Sequence, residues 1–303
     1  MLRWRLLMAA AILLPVGLLL WLDVNRNAGI PGLWLIPIGA LVMVLATAEV
    51  LDMLSVREVV PAKWPVFAGG ILVFLSGCIP AMVRAANASP PLSPVSLLGY
   101  TSAALTMAVA LIFVVEMVRY REPGKTTLQL ALALFAVVYP GFLMALLAQL
   151  RFVVDNGWGM AALISVIFVV KWSDTAAYAA GKTWGRHKMS PRLSPGKTVE
   201  GGIGAICGAA LASWVYFQWL VPLALGAAAR TSGWGCIAYG IIVGLAGMAG
   251  DLAESLLKRD AGRKDSSRWM PGLGGVLDIL DSLLLAAPAA LFCWIAGLVG
   301  PIR

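Results

Sequence analysis

Long apolar runs separated by short polar loops set the rhythm of the chain. A helix needs about 20 residues, at 1.5 Å of rise each, to cross the hydrocarbon core of a bilayer. Runs of that length fall at about 4–23, 30–51, 66–84, 94–118, 127–149, 158–180, 199–221, 234–257 and 275–298. The pattern predicts about nine transmembrane helices. Arg3 and Arg5 ahead of the first run resemble the start of a secretory leader, but the run is too long and lacks a small-x-small cleavage site, so a retained anchor is expected.

The two halves differ in character. Residues 1–150 are expected to form scaffold helices of Leu, Val and Ala, with Glu49 and Glu116 read as interfacial carboxylates near span ends. Residues 151–303 carry charges at their span ends and many glycines, notably Gly201, Gly204, Gly208, Gly240, Gly244, Gly247 and Gly250. That spacing lets helix backbones approach closely, and packing is its expected role. Neither a soluble domain nor an internal repeat interrupts the pattern, so the halves are read as one membrane domain.

Composition agrees with the periodicity. The chain of 303 residues is 60% hydrophobic and 13% charged, with a mean hydropathy of +0.87, beyond what a water-soluble domain needs for its core. The fold class expected is all-α, a polytopic integral membrane protein. Its net charge of +8 reports orientation and does not signal nucleic-acid binding. Most Lys and Arg fall at the N-terminus and in the loops two-three, four-five, six-seven and eight-nine, whereas the opposite face has only Arg26, Arg84, Arg151, Arg230 and Arg303. The positive-inside rule then puts the N-terminus in the cytoplasm and, after nine crossings, the C-terminus outside. Cys78, Cys207, Cys236 and Cys293 each fall within a span without CxxC spacing and are read as small buried hydrophobes. His187 is the sole histidine, which disfavours both a His-rich zinc site and a Ser-His-Asp relay.

Carboxylates gather at one depth. Asp174 near the end of span six, Glu200 at the start of span seven, Asp251 and Glu254 at the end of span eight, and Asp278 and Asp281 at the start of span nine are all expected at the cytoplasmic side. Asp251, Glu254, Ser255 and Lys258 share one helical face at i, i+3, i+4 and i+7. A carboxylate at the bilayer centre costs about 2.5 to 3.5 kcal/mol, less near the interface. Several on neighbouring helices repel one another unless cations lie between them. Mg²⁺ fits best, since it takes a few carboxylates together with water and substrate phosphates. The alternative is plain interfacial pairing with Lys258, Arg259 and Lys264.

Two basic loops, GKTWGRHKMSPRLSPGKTVEGG and KRDAGRKDSSRWMPGLGG, adjoin these acids and offer positive charge beside glycines whose N–H groups can approach an anion. Gly-Lys-Thr occurs at 181–183 and 196–198, but the glycine a P-loop needs five residues earlier is Ala176 or Pro191, and neither copy is expected to follow a strand. Carboxylates, a metal and basic groups without histidine suit phosphoryl or nucleotidyl transfer. An ion-coupled transporter satisfies the same electrostatics.

The spacing of these residues resembles the CDP-diacylglycerol synthase (phosphatidate cytidylyltransferase) family. Its hallmark runs S-x-x-K-R, four residues, K-D, then P-G-H-G-G-x-x-D-R-x-D. Ser255, Lys258, Arg259, Lys264, Asp265, Pro271, Gly272, Gly274, Gly275, Asp278 and Asp281 stand in that order and spacing. Asp174, Tyr178 and Gly181, the run Ser194, Pro195, Lys197, Thr198, Glu200, Gly201, and Gly250-Asp251 are similar to the family's upstream pieces. Leu273 replaces the family's His, Ile279 its Arg, and Met270 its usual Leu, Ile or Phe. At a phosphate contact each of the first two losses costs about 1.5 to 3 kcal/mol.

The resemblance implies synthesis of CDP-diacylglycerol and pyrophosphate from CTP and phosphatidic acid, at the cytoplasmic side of the cell (inner) membrane. It implies Asp251 and Asp278 as ligands of a catalytic Mg²⁺, with Asp281, Glu254 and Asp174 completing or supporting a second cation position. Lys197, Lys258, Arg259 and Lys264 are implied as phosphate-holding groups, Lys258 and Lys264 at the chemistry itself. Ser194, Thr198, Glu200, Ser255, Asp265, Gly274 and Gly275 are implied as the rest of the substrate site, and a homodimer as the assembly. A CTP-dependent lipid kinase, or a divergent member with weakened or redirected activity, is the alternative within the same chemistry.

Overall fold

The computed structural model describes residues 2–55, 59–87, 94–227, 229, 231–267, 270 and 274–301, with side chains left aside at 2–13, 81, 84–87 and 94–97. Its helices are α1 (Leu2–Asn25), α2 (Leu35–Leu54), α3 (Lys63–Asn87), α4 (Pro94–Arg119), α5 (Thr126–Ala136) and α6 (Leu143–Gln149), then α7 (Asn156–Trp184), α8 (Val199–Val215), α9 (Val221–Leu225), α10 (Gly233–Asp260) and α11 (Val276–Ile295). Every predicted run falls on a helix. Among the described residues eight helical stretches are long and apolar enough to cross a membrane; the first predicted run falls on α1, of which the part with described side chains, Leu14–Asn25, is a shorter apolar helix. The protein is an all-α polytopic membrane protein.

Two spans are not uniform α-helix. Val137–Phe142 joins α5 to α6, and Tyr216–Leu220 joins α8 to α9, as π-helical turns. The first contains Pro140, which lacks an N–H and whose ring crowds the preceding turn, so the wider turn accommodates it. Large apolar side chains such as Met117, Val118, Leu223 and Phe292 point outward, as expected where hydrocarbon is the solvent.

The chain divides into two compact units, 1–152 with 260–280, and 153–259 with 281–303. In the first, close packing rests on small residues: an added Cβ at Gly77 meets Ala145, and one at Gly141 meets Gly70. Arg151, assigned by the charge pattern to the side opposite the basic loops, is buried at 2% exposure. Its Nε donates to Asp23 Oδ2 at 2.7 Å, and Asp23 also accepts the amides of Gly32 and Trp34 at 3.0 and 3.2 Å.

In the second unit the glycine-rich faces of α8 and α10 pack as the sequence suggested. A Cβ at Gly204 or Gly208 runs into Ala180 or Ala176 of α7, and one at Gly240 or Gly244 into Ala209 and its neighbours on α8. Buried hydroxyls are satisfied: Ser213 Oγ donates to the Cys236 carbonyl at 2.6 Å, and Tyr216 OH to that of Ala161 at 2.9 Å. Cys78, Cys236 and Cys293 are buried and free, as expected; Cys207 is exposed.

The polar connection after α7 departs from the expected loop. Strand β1 (Lys188–Ser190) pairs antiparallel with β2 (Ser194–Thr198), Lys188 opposite Thr198 and Ser190 opposite Ser194. The Gly-Lys-Thr at 196–198 therefore lies on a strand that leads directly into a helix. With Pro191 in the place of the P-loop glycine, the resemblance to a P-loop ends there.

Candidate active site

The hairpin aims Lys197. Thr198 ends β2 with an extended backbone and caps α8, its Oγ1 accepting the amide of Gly201 at 3.1 Å. Glu200, in the first turn of α8, accepts the amides of Arg186 and His187 at 3.1 and 3.2 Å and lies 2.6 Å from His187 Nδ1. An acid is favoured at a helix N-terminus, and here it also ties down the base of the hairpin. Lys197, one residue before the cap, is thereby held with its Nζ 2.6 Å from Asp251 Oδ2 on α10.

Asp251 has acidic company. Asp174 on α7 pairs with Lys171 one turn earlier at 3.7 Å and feels the charges of Asp281, Asp251 and Lys197. Asp281 on α11 in turn feels Asp251 and Lys171. Three helices of the second unit thus contribute Asp174, Asp251 and Asp281 to one electrostatic neighbourhood, with Lys171 and Lys197 as counter-charges. A cavity of about 400 Å³ opens there, lined among others by Asp174, Tyr178, Lys182, Met189, Lys197 and Asp251. It offers carboxylates and ammonium groups on one side and apolar wall on the other.

The other residues of this unit that the resemblance implicates have partners of their own in the structure. Glu254 is fully buried and faces Lys258, one turn along α10, at 2.5 Å. Arg259 Nε donates to the Leu193 carbonyl of the hairpin at 3.2 Å. Ser194 pairs with Ser190 in the strand ladder, and Ser255 is half-buried on α10.

A second polar centre lies in the first unit. Lys264 and Asp265 are exposed and line a cavity of about 490 Å³ with Asp52, Gly262, Arg263, Ser266 and Ser267, and Arg263 pairs with Asp52. Asp278, in the first turn of α11, accepts the amide and hydroxyl of Ser266 at 2.9 and 2.7 Å and the amide of Gly275 at 2.7 Å, all on Oδ2. Gly274 has φ +83° and exchanges two backbone hydrogen bonds with Met270. A side chain there is strained by φ and also meets Asp278. Leu273 lies outside the described residues; Ile279 is half-buried in α11.

Sequence reasoning missed Glu49. Its place near a span end suggests an interfacial carboxylate, yet it is buried and accepts hydrogen bonds from Ser266, Ser267, Val276 and Leu277. Its only signal was a carboxylate inside an otherwise apolar run. Lys171, within the run at 158–180, and Lys182, one of five basic residues in the loop that follows, are not singled out by the sequence, since neither falls at a marked motif position.

Among the described residues no three His, Cys, Asp or Glu side chains are close enough together to form a metal ligand set in this arrangement. The donor chemistry nonetheless fits a hard divalent cation. Carboxylate oxygens from three helices repel one another, and Lys197 already stands at Asp251 as a positive charge. Oxygen-only donors of this kind suit Mg²⁺.

Fold and site together define a multi-pass helical membrane protein with a lysine–carboxylate centre beside a polar cavity. The chain belongs to the cytidylyltransferase family, whose model matches residues 4–296. Similar curated proteins include the phosphatidate cytidylyltransferase of Brucella suis biovar 1 (strain 1330), 41% identical over 150 residues, which are 49% of this chain and 52% of that protein. That of Staphylococcus aureus (strain COL) is 34% identical over 160 residues, 52% of this chain and 56% of the relative. The uncharacterized protein YnbB of Escherichia coli (strain K12) is 37% identical over 130 residues, 43% of this chain and 41% of the relative. The chain thus spans about half the length of the curated relatives it matches.

Proposed function

We propose that the protein transfers the cytidylyl group of CTP to phosphatidic acid, giving CDP-diacylglycerol and pyrophosphate in phospholipid biosynthesis. The observation that carries this reading is Lys197 held against Asp251 in a cavity that also contains Asp174 and Lys182; membership in the cytidylyltransferase family and relatives named phosphatidate cytidylyltransferase support it. An oxygen of the lipid phosphate attacks the α-phosphorus of CTP, and the bond from that phosphorus to the β-bridging oxygen breaks, releasing pyrophosphate. The attacking oxygen is already ionised near neutral pH, so no general base is required.

In this reading Lys197 and Lys182 bind phosphate oxygens and orient them for in-line displacement, where positioning and charge stabilisation supply most of the catalysis. Lys258 joins them by leaving Glu254, and Lys264 of the first unit keeps the phosphate-holding role its place in the motif gives it. Asp251, Asp174 and Asp281 are the residues that would hold Mg²⁺, and Asp278 keeps the metal role its place in the motif gives it. When bound, the ion offsets the charge of the triphosphate. The apolar wall formed by Tyr178, Met189 and Met248 takes the acyl side of the lipid. The site faces the cytoplasm of the inner membrane, in keeping with the basic loops, and the protein acts as a homodimer, which light scattering of the detergent-solubilised chain checks.

The test is the fate of label from α-labelled CTP incubated with purified protein, phosphatidic acid and Mg²⁺. Label in the lipid supports the synthase. Label appearing only in CDP points to a lipid kinase, and unchanged CTP defeats both.

A further inference from the structure

We propose that Glu49 of α2 is a positioning residue that fixes the Asp278 carboxylate by clamping the loop ahead of α11. The role in catalysis rests on the cytidylyl-transfer reading above; the clamp itself does not. Glu49 is 6% exposed, and its partners lie more than two hundred residues away in sequence. Oε1 accepts the Val276 amide at 2.9 Å and Ser267 Oγ at 3.0 Å. Oε2 accepts the Leu277 amide and Ser266 Oγ, both at 2.8 Å. The amides of Val276 and Leu277 open α11 and have no partner within their own helix. A carboxylate can accept from all these donors at once, while an amide of the same shape would turn an NH₂ toward some of them.

Ser266 connects the clamp to Asp278. Its Oγ lies 2.8 Å from Glu49 Oε2 and 2.7 Å from Asp278 Oδ2. One hydroxyl proton serves one acceptor at a time, so the two carboxylates share this serine, and the amides of Ser266 and Gly275 hold Asp278 Oδ2 as well. Gly275 belongs to the same construction: a Cβ there meets Ser266 Oγ and both Glu49 oxygens. The second glycine of the Gly274-Gly275 pair thus leaves room for the close approach of both Ser266 and Glu49. Partners that orient a metal ligand affect function strongly without touching substrate.

The experiment compares full-length wild type, Glu49→Gln and Ser266→Ala/Ser267→Ala, purified in detergent, by amide hydrogen exchange and by CTP-dependent turnover. Glu49→Gln is expected to speed exchange at Val276 and Leu277 and across 260–280 while peptides of α7 and α8 keep wild-type protection. It is expected to lower kcat about 10- to 100-fold with KM for CTP within about twofold, and the wild-type protection of α7 and α8 in the same sample excludes loss of folded protein as the cause. The double serine variant is expected to shift both readouts in the same direction by less, and it decides the matter should Glu49→Gln not fold. Wild-type protection at Val276 and Leu277 overturns the clamp, and faster exchange with unchanged kcat overturns its catalytic role. A wild type that incorporates no label defeats the cytidylyl-transfer reading, while hydrogen exchange still decides whether Glu49 holds the loop.

Discussion

Lys197 Nζ lies 2.6 Å from Asp251 Oδ2, joining the end of a β-hairpin to the polar end of a transmembrane helix. Neither residue is fully buried, and each faces a cavity that Asp174 and Lys182 also line. The pair is thus accessible to a ligand that brings phosphate to the lysine and a cation to the aspartate.

Removing that lysine should weaken phosphate binding more than folding. Lys197→Met is expected to lower kcat/KM for CTP by roughly 10- to 150-fold, corresponding to a charge-assisted hydrogen bond of about 1.5 to 3 kcal/mol. Steady-state kinetics check this, with the thermal transition of the variant staying within a few degrees of wild type.

Arg151 and Asp23 make a separate prediction about stability. Both are almost completely buried, so Arg151→Met strands an unpaired carboxylate and should cost about 3 to 5 kcal/mol. Adding Asp23→Asn should restore a large part of the loss, because an asparagine oxygen still accepts the amides of Gly32 and Trp34. Denaturant titration of the detergent-solubilised proteins checks both steps.

Gly275→Ala is expected to destabilise the first unit by about 1 to 3 kcal/mol, the usual range for overpacking, since the new methyl meets Ser266 and the Glu49 carboxylate. Gly262, with φ +67° and open space around it, serves as the contrast. There the penalty of alanine comes from the backbone alone. Melting temperatures of the two variants should fall for different reasons, steric overlap in the first and backbone strain in the second.

The spans were legible because a bilayer imposes both length and apolarity, and α7, α8, α10 and α11 fall within a few residues of the runs that predicted them. The hairpin at 188–198 was not. Its strands are short and mostly polar, so neither alternation nor β-branched enrichment marks them, and the pairing of Lys188 with Thr198 comes from the tertiary anchoring of Glu200. The topology leads one to expect Asp174, Asp251 and Asp281 at one depth, and the structure lines one cavity with Asp174 and Asp251. For Glu254 the i, i+3, i+4 spacing gives the shared helical face, and the structure adds that Lys258 pairs with it. Glu49 was invisible for a related reason: its donors all come from a segment more than two hundred residues away.

Of the three departures from the family pattern, Leu273 and Ile279 remove polar groups, and restoring them is informative. If a lost polar donor and a lost positive charge limit turnover, Leu273→His with Ile279→Arg should raise kcat/KM by roughly tenfold or more, each contact being worth about 1.5 to 3 kcal/mol. Unchanged kinetics would mean that other basic groups of the chain already serve the phosphates.

The lysine–aspartate centre is tested most directly by Asp251→Asn in the α-labelled CTP assay, on protein whose α7 and α8 amides retain wild-type hydrogen-exchange protection. Label should enter lipid with wild type and fall to background with the variant. Wild-type incorporation by Asp251→Asn would contradict the assignment of Asp251 to the chemistry.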